Sequence, residues 1–514
     1  LVVVLGLAEG SFPAPVHDDS LLPDHEREAA GDELPLRRAR VDRQHRELLA
    51  SLAGARQQFL GVPRGDLRRS TDRVASRWVL DIASALAGER LWSDDLIRAP
   101  VEWVEHVASF DAGLRHLAFP ATEQEHHLRT LLAAHPTGAT ELAATTDDLV
   151  LASNAWVVAE RRSAAFTRFD GNLTGLDVPS PVEGITSATR LQTWAGCPFA
   201  YFVAHVLRVE PVENPEDALQ ISALDRGSLV HKALEEFVAA ILDRPEAERP
   251  GPDDKWTLDD RDLMVKFGEE QCNAFEARGL TGRALFWRRD RQRILNGLKR
   301  FLDEDHTMRL VRRTRPIAAE LAFGFADGDG PVPLLLADGR ALRFRGQADR
   351  VDRDDDGGLY VLDYKTGSAY KYKGLTADDP DQGGTLLQLA VYGAAARQHE
   401  HAPDAPVRAE YWFVSAGGDF AFEGYDISPE VLAKVGVTLG TIVSGIESGV
   451  FAARPTAMST AIWVECDACD PDGLGVIELR RAWDRKRSDP ILVPYAQLAE
   501  PADDDDEEEE TAGD

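Results

Sequence analysis

The spacing of apolar and polar positions in the middle of the chain predicts two neighbouring β-strands. The first covers residues 344–352. The second covers residues 359–365, is rich in β-branched and aromatic side chains, and stops at Thr366 and Gly367. Between them, residues 353–358 form a polar run ending in two glycines, which is typical of a hairpin turn. The pattern therefore predicts an antiparallel pair of strands with a tight connection.

Charged side chains occupy the end of the second strand. Asp363 and Lys365 are two residues apart, so they point to the same face, and strand pairing can bring Asp349 beside Asp363. Carboxylates suit Mg²⁺, which takes oxygen ligands, acidifies a bound water and neutralises charge on a phosphate. A lysine can orient that water or stabilise the developing oxyanion. The alternative, for an Asp-x-Lys triplet taken alone, is a surface ion pair at a strand end.

Two helical segments add further polar groups. Residues 225–237 have helical apolar spacing and place His231 on the first turns of a helix, where a neutral imidazole could be a third metal ligand. Residues 386–392 predict a second helix, on which Gln388 and Tyr392 lie four apart on one face and could donate hydrogen bonds to phosphate oxygens. Each feature taken singly is better explained as a capped or buried structural side chain.

These motifs occur in a fixed order along the chain. They are Gly227-x-x-x-His231, Gly346-x-x-Asp349-Arg350-x-Asp352, Asp363-Tyr364-Lys365-Thr366-Gly367 and Gln388-Leu389-x-x-Tyr392. The series resembles the nuclease module of the RecB/AddB family, within the PD-(D/E)XK nuclease superfamily. Residues 187–191 and 197–202 resemble the opening of that module, so the resemblance covers about residues 185–498.

The resemblance implies an α/β fold with a restriction-endonuclease-like core, in which a mixed sheet is flanked by helices. It also implies a metal-dependent active centre that uses Mg²⁺ or Mn²⁺. The implied metal ligands are His231, Asp349 and Asp363, with Lys365 catalytic and with Gln388 and Tyr392 lining the site. Asp363 stands where many superfamily members carry glutamate, a variation that the pattern allows.

The four cysteines are too few for a disulfide scaffold, and no signal peptide or membrane span is visible, which indicates a reducing cytosol. In AddB-like nucleases, one cysteine before the core and three after it hold a 4Fe–4S cluster. Cys197 matches the first of these, and Cys466 and Cys469 match the next two.

The fourth cluster cysteine is expected near Gly475, where none occurs, and Cys272 does not match the pattern. Either a carboxylate such as Asp470 or Asp472 substitutes, or the cluster has been lost. A Cys-x-x-Cys pair could also hold zinc together with other ligands.

The first residues carry a separate pattern. Residues 1–13 predict a buried strand that runs into a loop, and they resemble the last part of a superfamily-one helicase of UvrD or AddB type. Gly54 stands where that family's final motif has a phosphate-contacting arginine, although Arg56 is close by. No Gly-x-x-x-x-Gly-Lys-Ser/Thr loop occurs, so ATP is not expected to bind this chain alone. Because the sequence opens inside a predicted strand, we interpret it as starting within a domain. The alternative to the helicase resemblance is that this part is an unrelated α/β segment.

These motifs divide the chain into four predicted segments. Residues 1–90 are the remnant of a helicase C-terminal domain, 91–180 a helical linker region, 181–498 the nuclease module, and 499–514 a disordered acidic tail. In the linker, six apolar residues are spaced for a packed helical face: Trp92, Leu96, Val101, Trp103, Val104 and Val107.

Charge is the feature that least suits a DNA-binding protein, because the formal net charge is −31. Phosphate contacts need only a local basic groove, however. Candidate basic runs are residues 287–293, 312–315 and 480–487. Each run is also what a solvated helix face looks like.

The sequence therefore predicts a cytoplasmic, metal-dependent DNA nuclease module of a helicase–nuclease that acts in double-strand-break repair and recombination. Its expected partners are single- or double-stranded DNA ends and a helicase motor, in the same full-length chain or in another subunit, with no membrane. One alternative is a catalytically inactive DNA-binding or scaffold subunit, which the complete His–Asp–Asp–Lys set argues against. The other is the C-terminal part of an ATP-dependent motor whose ATPase lies upstream.

Overall fold

The computed structural model describes most of residues 1–500. The gaps are residues 16–21, 23, 30, 38, 67–70, 99–101, 117–118, 134–140, 143, 211–219, 327, 456–465, 467 and 471–476. The chain divides into two compact units, Leu1–Ala159 with Thr456–Glu478, and Glu160–Pro455 with Leu479–Asp514. The division into four segments stays a prediction, and the acidic tail lies outside the described residues.

The first unit combines short helices with two small sheets. Its strands are β1 (Val2–Val4), β2 (Gln58–Leu60), β3 (Gly65–Asp66) and β4 (Thr71–Asp72), paired β1 with β2 in parallel and β3 with β4 antiparallel. Its helices are α1 (Asp24–Ala29), α2 (Ala39–Ala53), α3 (Arg77–Ala87), α4 (Ser93–Arg98), α5 (Phe110–His116) and α6 (Glu123–Ala133), and α7 (Leu149–Arg162) runs across its boundary.

The predicted N-terminal strand is present, but it is not buried. Val2 and Val4 pack against a small cluster around Leu48 and Trp78, whereas Val3 on the other face is 54% exposed. The described part of this sheet has two strands, and its packing covers one face only. The prediction of a buried strand is therefore wrong.

The predicted helical face of the linker is also wrong. Of the five residues of this set that the structure describes, only Leu96 lies in a helix, α4, and Trp92, Trp103 and Val107 are 59, 42 and 51% exposed. A proline at position 100 interrupts the periodic pattern, and proline disrupts a helix interior because it lacks the backbone N–H. Val101 lies outside the described residues.

The second unit is built around a mixed five-stranded sheet. In chain order its strands are β5 (Ile185–Thr186), β6 (Thr314–Phe323), β7 (Val332–Leu335), β8 (Ala341–Phe344), β9 (Gly346–Asp354), β10 (Leu359–Lys365), β11 (Val407–Phe413) and β12 (Phe422–Asp426). The large sheet has the order β12-β11-β10-β9-β6, with β10 and β11 parallel and the other neighbours antiparallel, and β5-β8-β7 forms a smaller sheet. The predicted hairpin is confirmed, with its first strand beginning at Gly346.

Helices cover both faces of the large sheet. They are α8 (Ala188–Gly196), α9 (Pro198–Tyr201), α10 (Ala223–Leu242), α11 (Leu258–Ala277), α12 (Ala284–Arg312), α13 (Gln388–His399), α14 (Pro429–Glu447), α15 (Ile477–Lys486) and α16 (Val493–Ala499). The second unit also has a π-helical turn at Phe202–Val206 and 3₁₀ turns at Glu246–Glu248 and Ala369–Tyr372, and the first unit has a 3₁₀ turn at Gly31–Glu33. Along β10, Val361 packs with α13 and α14, and Leu362 and Tyr364 pack with α10, α11 and α12. This alternation produces the predicted mixed sheet flanked by helices.

Among the described helices, α14 alone is long and apolar enough to cross a membrane, with a mean hydropathy of 1.3. Its buried positions include Val431, Val435, Leu439, Ile442 and Ile446, which follow a helical repeat. These residues belong to the hydrophobic core of the second unit. The contacts are those of a core helix.

A buried ion network ties β9 to α12. Arg350 is 1% exposed and donates to Asp305 Oδ1 at 2.6 Å and to both Asp352 oxygens at 2.6 and 2.8 Å. Arg309 Nε donates to the other oxygen of Asp305 at 2.9 Å. Burial raises the pKa of Asp305, but the charges of Arg350 and Arg309 outweigh it and hold that pKa below its usual value. The network is stable only while its charges stay balanced.

We expect Arg350→Ala to lower the free energy of unfolding by about 3–5 kcal/mol, because it leaves the buried Asp352 without its ion-pair partner and leaves Asp305 paired with Arg309 alone. Arg353→Ala is the matched control on the same strand. Arg353 is 36% exposed and pairs with Glu400, so its loss should cost about 0–1 kcal/mol. Urea unfolding of the two variants measures the difference; equal losses would contradict the role given to the buried network.

Candidate active site

The register of β9 and β10 sets two carboxylates side by side. The last paired residues of this ladder are Leu362 and Arg350, so the next position places Asp363 opposite Asp349. At this position the acceptor is the Asp349 side chain instead of a backbone carbonyl: its Oδ2 accepts the N–H of Tyr364 at 2.6 Å. Because a backbone amide holds this carboxylate, its orientation is fixed by the sheet.

His231 reaches the same point from α10. The helix begins at Ala223, after Ser222 Oγ accepts the Asp225 N–H at 2.9 Å, so His231 lies in the third turn rather than in the first turns. Its Nδ1 is 3.2 Å from Asp349 Oδ1. Burial lowers the pKa of His231, but the contact with Asp349 and the nearby charge of Asp363 outweigh it and raise the pKa overall.

Asp363 and Lys365 form an ion pair on one face of β10. Asp363 is 3% exposed, and its pKa is raised by burial and by the charge of Asp349, with Lys365 partly offsetting both. Burial lowers the pKa of Lys365, but Asp363 outweighs it, so the pKa is raised and the ammonium stays charged. A lysine held beside a carboxylate can act as a fixed positive charge.

Gln388 and Tyr392 extend the network along α13. Lys365 Nζ donates to Gln388 Oε1 at 3.3 Å, and Gln388 Nε2 donates to the Tyr392 hydroxyl at 3.2 Å. The predicted helix is confirmed, although it begins at Gln388 and continues to His399. Burial raises the pKa of Tyr392, and so does the charge of Asp363, so its phenol stays protonated and can donate.

Glu320 is a carboxylate at this site that sequence reasoning missed. The pairs Ala319–Arg350 and Leu321–Ala348 set Glu320 opposite Asp349, and its φ of 49° is unusual for a residue other than glycine. Burial, together with the charge of Asp349, raises its pKa to about 7. One signal was available, since Glu320 is the single acid in the otherwise apolar end of β6, residues 316–323.

The donor set fits a hard divalent cation. It offers carboxylate oxygens from two strands and an imidazole from a helix. Asp363 Oδ2 is buried in ion contact with Lys365, and this ammonium only partly offsets the effects of burial and of the Asp349 charge. A buried carboxylate whose charge is only partly compensated is favourably placed next to a cation.

The cysteines divide between the two units. Cys466 and Cys469 lie side by side within the first unit, with their Cα atoms 5.3 Å apart. Cys197 is buried at the end of α8 in the second unit. Cys272 is buried inside α11, and burial raises its pKa to about 11, which disfavours the thiolate that a cluster needs. Asp472 lies outside the described residues.

Comparison with known proteins identifies the class to which this site belongs. The chain is a member of the PD-(D/E)XK nuclease superfamily, whose family model matches residues 185–472, more than half of the chain. That segment contains the predicted ligands His231, Asp349 and Asp363. The second unit therefore carries a nuclease domain, as its motifs predicted.

Curated relatives share a single description, that of one subunit of an ATP-dependent helicase/deoxyribonuclease. The protein of Caldanaerobacter subterraneus subsp. tengcongensis is 30% identical over 213 residues, covering 40% of this chain and 17% of the relative. That of Alkaliphilus metalliredigens is 31% identical over 217 residues, with the same coverage. That of Heliobacterium modesticaldum is 27% identical over 450 residues, covering 77% of this chain and 35% of the relative. The chain thus spans well under half the length of these relatives.

We expect Glu320→Gln to make folding less dependent on pH. In the folded protein the pKa of Glu320 is raised from its ordinary value of 4.5 to about 7. The folded state therefore holds this proton more tightly than the unfolded chain, and stability falls as the pH rises through that interval. Glutamine has no charge to form, so the variant should gain about 1–2 kcal/mol at pH 8, allowing for solvent screening, and nothing at pH 4.

Urea unfolding in EDTA at several pH values measures this effect. Glu304→Gln is the control, because Glu304 pairs with Arg300 at the surface of α12. A gain that is the same at pH 4 and pH 8 would show that Glu320 does not titrate in this interval.

Proposed function

We propose that the second unit is a divalent-metal-dependent deoxyribonuclease. The observation that carries the proposal is the convergence of His231, Asp349, Asp363, Lys365 and Gln388 from two strands and two helices. They form two neighbouring groups of polar contacts at the end of the sheet. Asp349 contacts His231 and the Tyr364 N–H, and Lys365 contacts Asp363 and Gln388. Nucleases of this superfamily use a divalent metal ion, and the donor set described above suits one.

His231, Asp349 and Asp363 would hold Mg²⁺ or Mn²⁺. When bound, the metal would acidify a water and neutralise charge on the scissile phosphate. The Lys365 ammonium, held against Asp363, would orient the attacking water or stabilise negative charge that develops on the phosphate. Gln388 and the protonated phenol of Tyr392 would donate hydrogen bonds to phosphate oxygens and so position the strand.

We also propose a wider setting for this activity. The relatives are described as subunits of an ATP-dependent helicase/deoxyribonuclease, which supports a nuclease module that works with a helicase motor on DNA ends during double-strand-break repair and recombination in the cytoplasm. The motor would be in the same full-length protein or in a partner subunit. The inactive scaffold alternative is disfavoured because every member of the His–Asp–Asp–Lys set is present, with His231 in contact with Asp349 and Asp363 in contact with Lys365.

We expect Asp363→Ala to reduce Mg²⁺-dependent cleavage of linear DNA to background, because it removes a metal ligand. Lys365→Ala should lower the cleavage rate roughly 100-fold or more while DNA affinity stays nearly unchanged. The matched control is Asp355→Ala in the hairpin turn, where Asp355 pairs with Arg313 at the surface. Assays on single- and double-stranded DNA, with Mg²⁺, Mn²⁺ or EDTA, measure both variants.

Two results would count against this assignment. Cleavage by Asp363→Ala at the rate of the wild type would remove this residue from the centre. DNA binding without cleavage by the wild type in either metal would favour the scaffold alternative.

We propose, as a separate feature, that Cys197, Cys466 and Cys469 are ligands of an iron–sulfur cluster, with Asp470 or Asp472 as the fourth. Protein purified without oxygen should then be brown and absorb at about 400 nm. Cys466→Ser should lose iron and colour, whereas Cys272→Ser should keep both. A colourless anaerobic preparation without iron would end this proposal, and zinc in its place would favour a zinc site.

A further inference from the structure

A short aromatic and basic segment, residues 366–375, directly follows the strand that carries Asp363 and Lys365. The chain has nine lysines, and three of them are Lys365, Lys371 and Lys373. No acidic residue lies between Asp363 and Asp378, although 88 of the 514 residues are acidic. The segment is therefore a local exception to the negative charge of the protein.

The structure anchors this segment beside the active site. It contains the 3₁₀ turn Ala369–Tyr372, and the ring of Tyr372 packs edge-on against Tyr411 of β11 at 4.8 Å. The same Tyr411 ring lies 4.9 Å from Lys365 Nζ. One tyrosine thus contacts both the candidate catalytic lysine and the 366–375 segment, which fixes the distance between them.

Tyr370 is turned away from the core. Tyr370 is 73% exposed, and Lys373 Nζ lies 5.8 Å from the centre of its ring. Lys371 and Lys373 are exposed as well. An accessible aromatic face next to ammonium groups is the combination with which proteins hold single-stranded nucleic acid, because a base stacks on the ring and lysines meet the phosphates.

We propose that the 366–375 segment is a binding site for single-stranded DNA, with one unpaired base stacked on Tyr370 and the adjoining phosphates held by Lys371 and Lys373. The inference rests on the proposed nuclease function and deepens it by naming the form of DNA that leads to the site. An unpaired strand is favoured because a base inside a duplex is already stacked on its neighbours and does not present its face. Asp363 is buried, so the strand has to be guided to it.

Binding of a fluorescently labelled 20-nucleotide oligo(dT) in EDTA, where metal-dependent cleavage is suppressed, tests the proposal. Tyr370→Ala should weaken binding roughly tenfold, and Tyr370→Phe should restore it because the stacking face is kept. The double variant Lys371→Ala/Lys373→Ala should reduce the slope of log Kd against log salt by about 1.4, which corresponds to two phosphate contacts on a single strand. The control is Lys299→Ala, an exposed lysine on α12.

The outcomes separate this inference from the proposed catalysis. If the wild type cleaves DNA but Tyr370→Ala and the double lysine variant bind and cleave like it, the inference fails alone. If Tyr370→Ala loses affinity for the single strand while no form of the protein cleaves, the inference stands and the nuclease assignment fails. An equal loss of affinity for a blunt duplex would overturn the assignment to single strands. Unchanged thermal unfolding of Tyr370→Ala shows that the effect is local.

Discussion

The hydrogen bond from the Tyr364 N–H to Asp349 Oδ2 is the contact on which the site depends. It lies where the ladder between β9 and β10 ends, and it replaces a backbone acceptor with a carboxylate. The other oxygen of Asp349 meets His231, so one side chain connects both strands to α10. The strand register therefore sets the geometry of a candidate metal centre, and no flexible loop separates the sheet from the ligands of that centre.

Because successive side chains of a strand point to opposite faces, the charged side chains of these strands fall into two groups, one at the site and one in the buried ion network. On β9, Asp349 is directed to the site, whereas its neighbour Arg350 lies in the buried network with Asp305 and Asp352. In that network opposite charges are matched by short hydrogen bonds, which stabilises the sheet. At the site the negative groups exceed the positive ones: three carboxylates, of Glu320, Asp349 and Asp363, surround one lysine and one histidine. Burial, together with this excess of negative charge, raises the pKa values of Glu320 and Asp363, and an added cation would lower both.

The sequence predicted the contacts between segments that are close along the chain and missed some of those between distant segments. Strand β10 was predictable because its β-branched run ends at a Thr-Gly turn, and the pairing of Asp349 with Asp363 followed from a short hairpin. Glu320 was missed because its position depends on the pairing of β6 with β9, and no local sequence pattern indicates that pairing. The helical face proposed for the linker failed for a similar reason: apolar spacing alone does not show whether a segment finds a partner to pack against. The helical spacing of Gln388 and Tyr392 predicted that they share one face, the family resemblance implied that they line the site, and the structure adds that their side chains contact one another.

If His231, Asp349 and Asp363 form a single metal centre, the protein binds Mn²⁺ without any substrate, and electron paramagnetic resonance measures that binding. Titration of the wild type should remove the signal of free Mn²⁺ as the ion binds. Asp363→Asn, which keeps the size of the side chain but removes its charge, should lose that binding, and Asp355→Asn in the hairpin turn should retain it. Equal Mn²⁺ binding by Asp363→Asn and the wild type would show that these three residues do not form a metal centre.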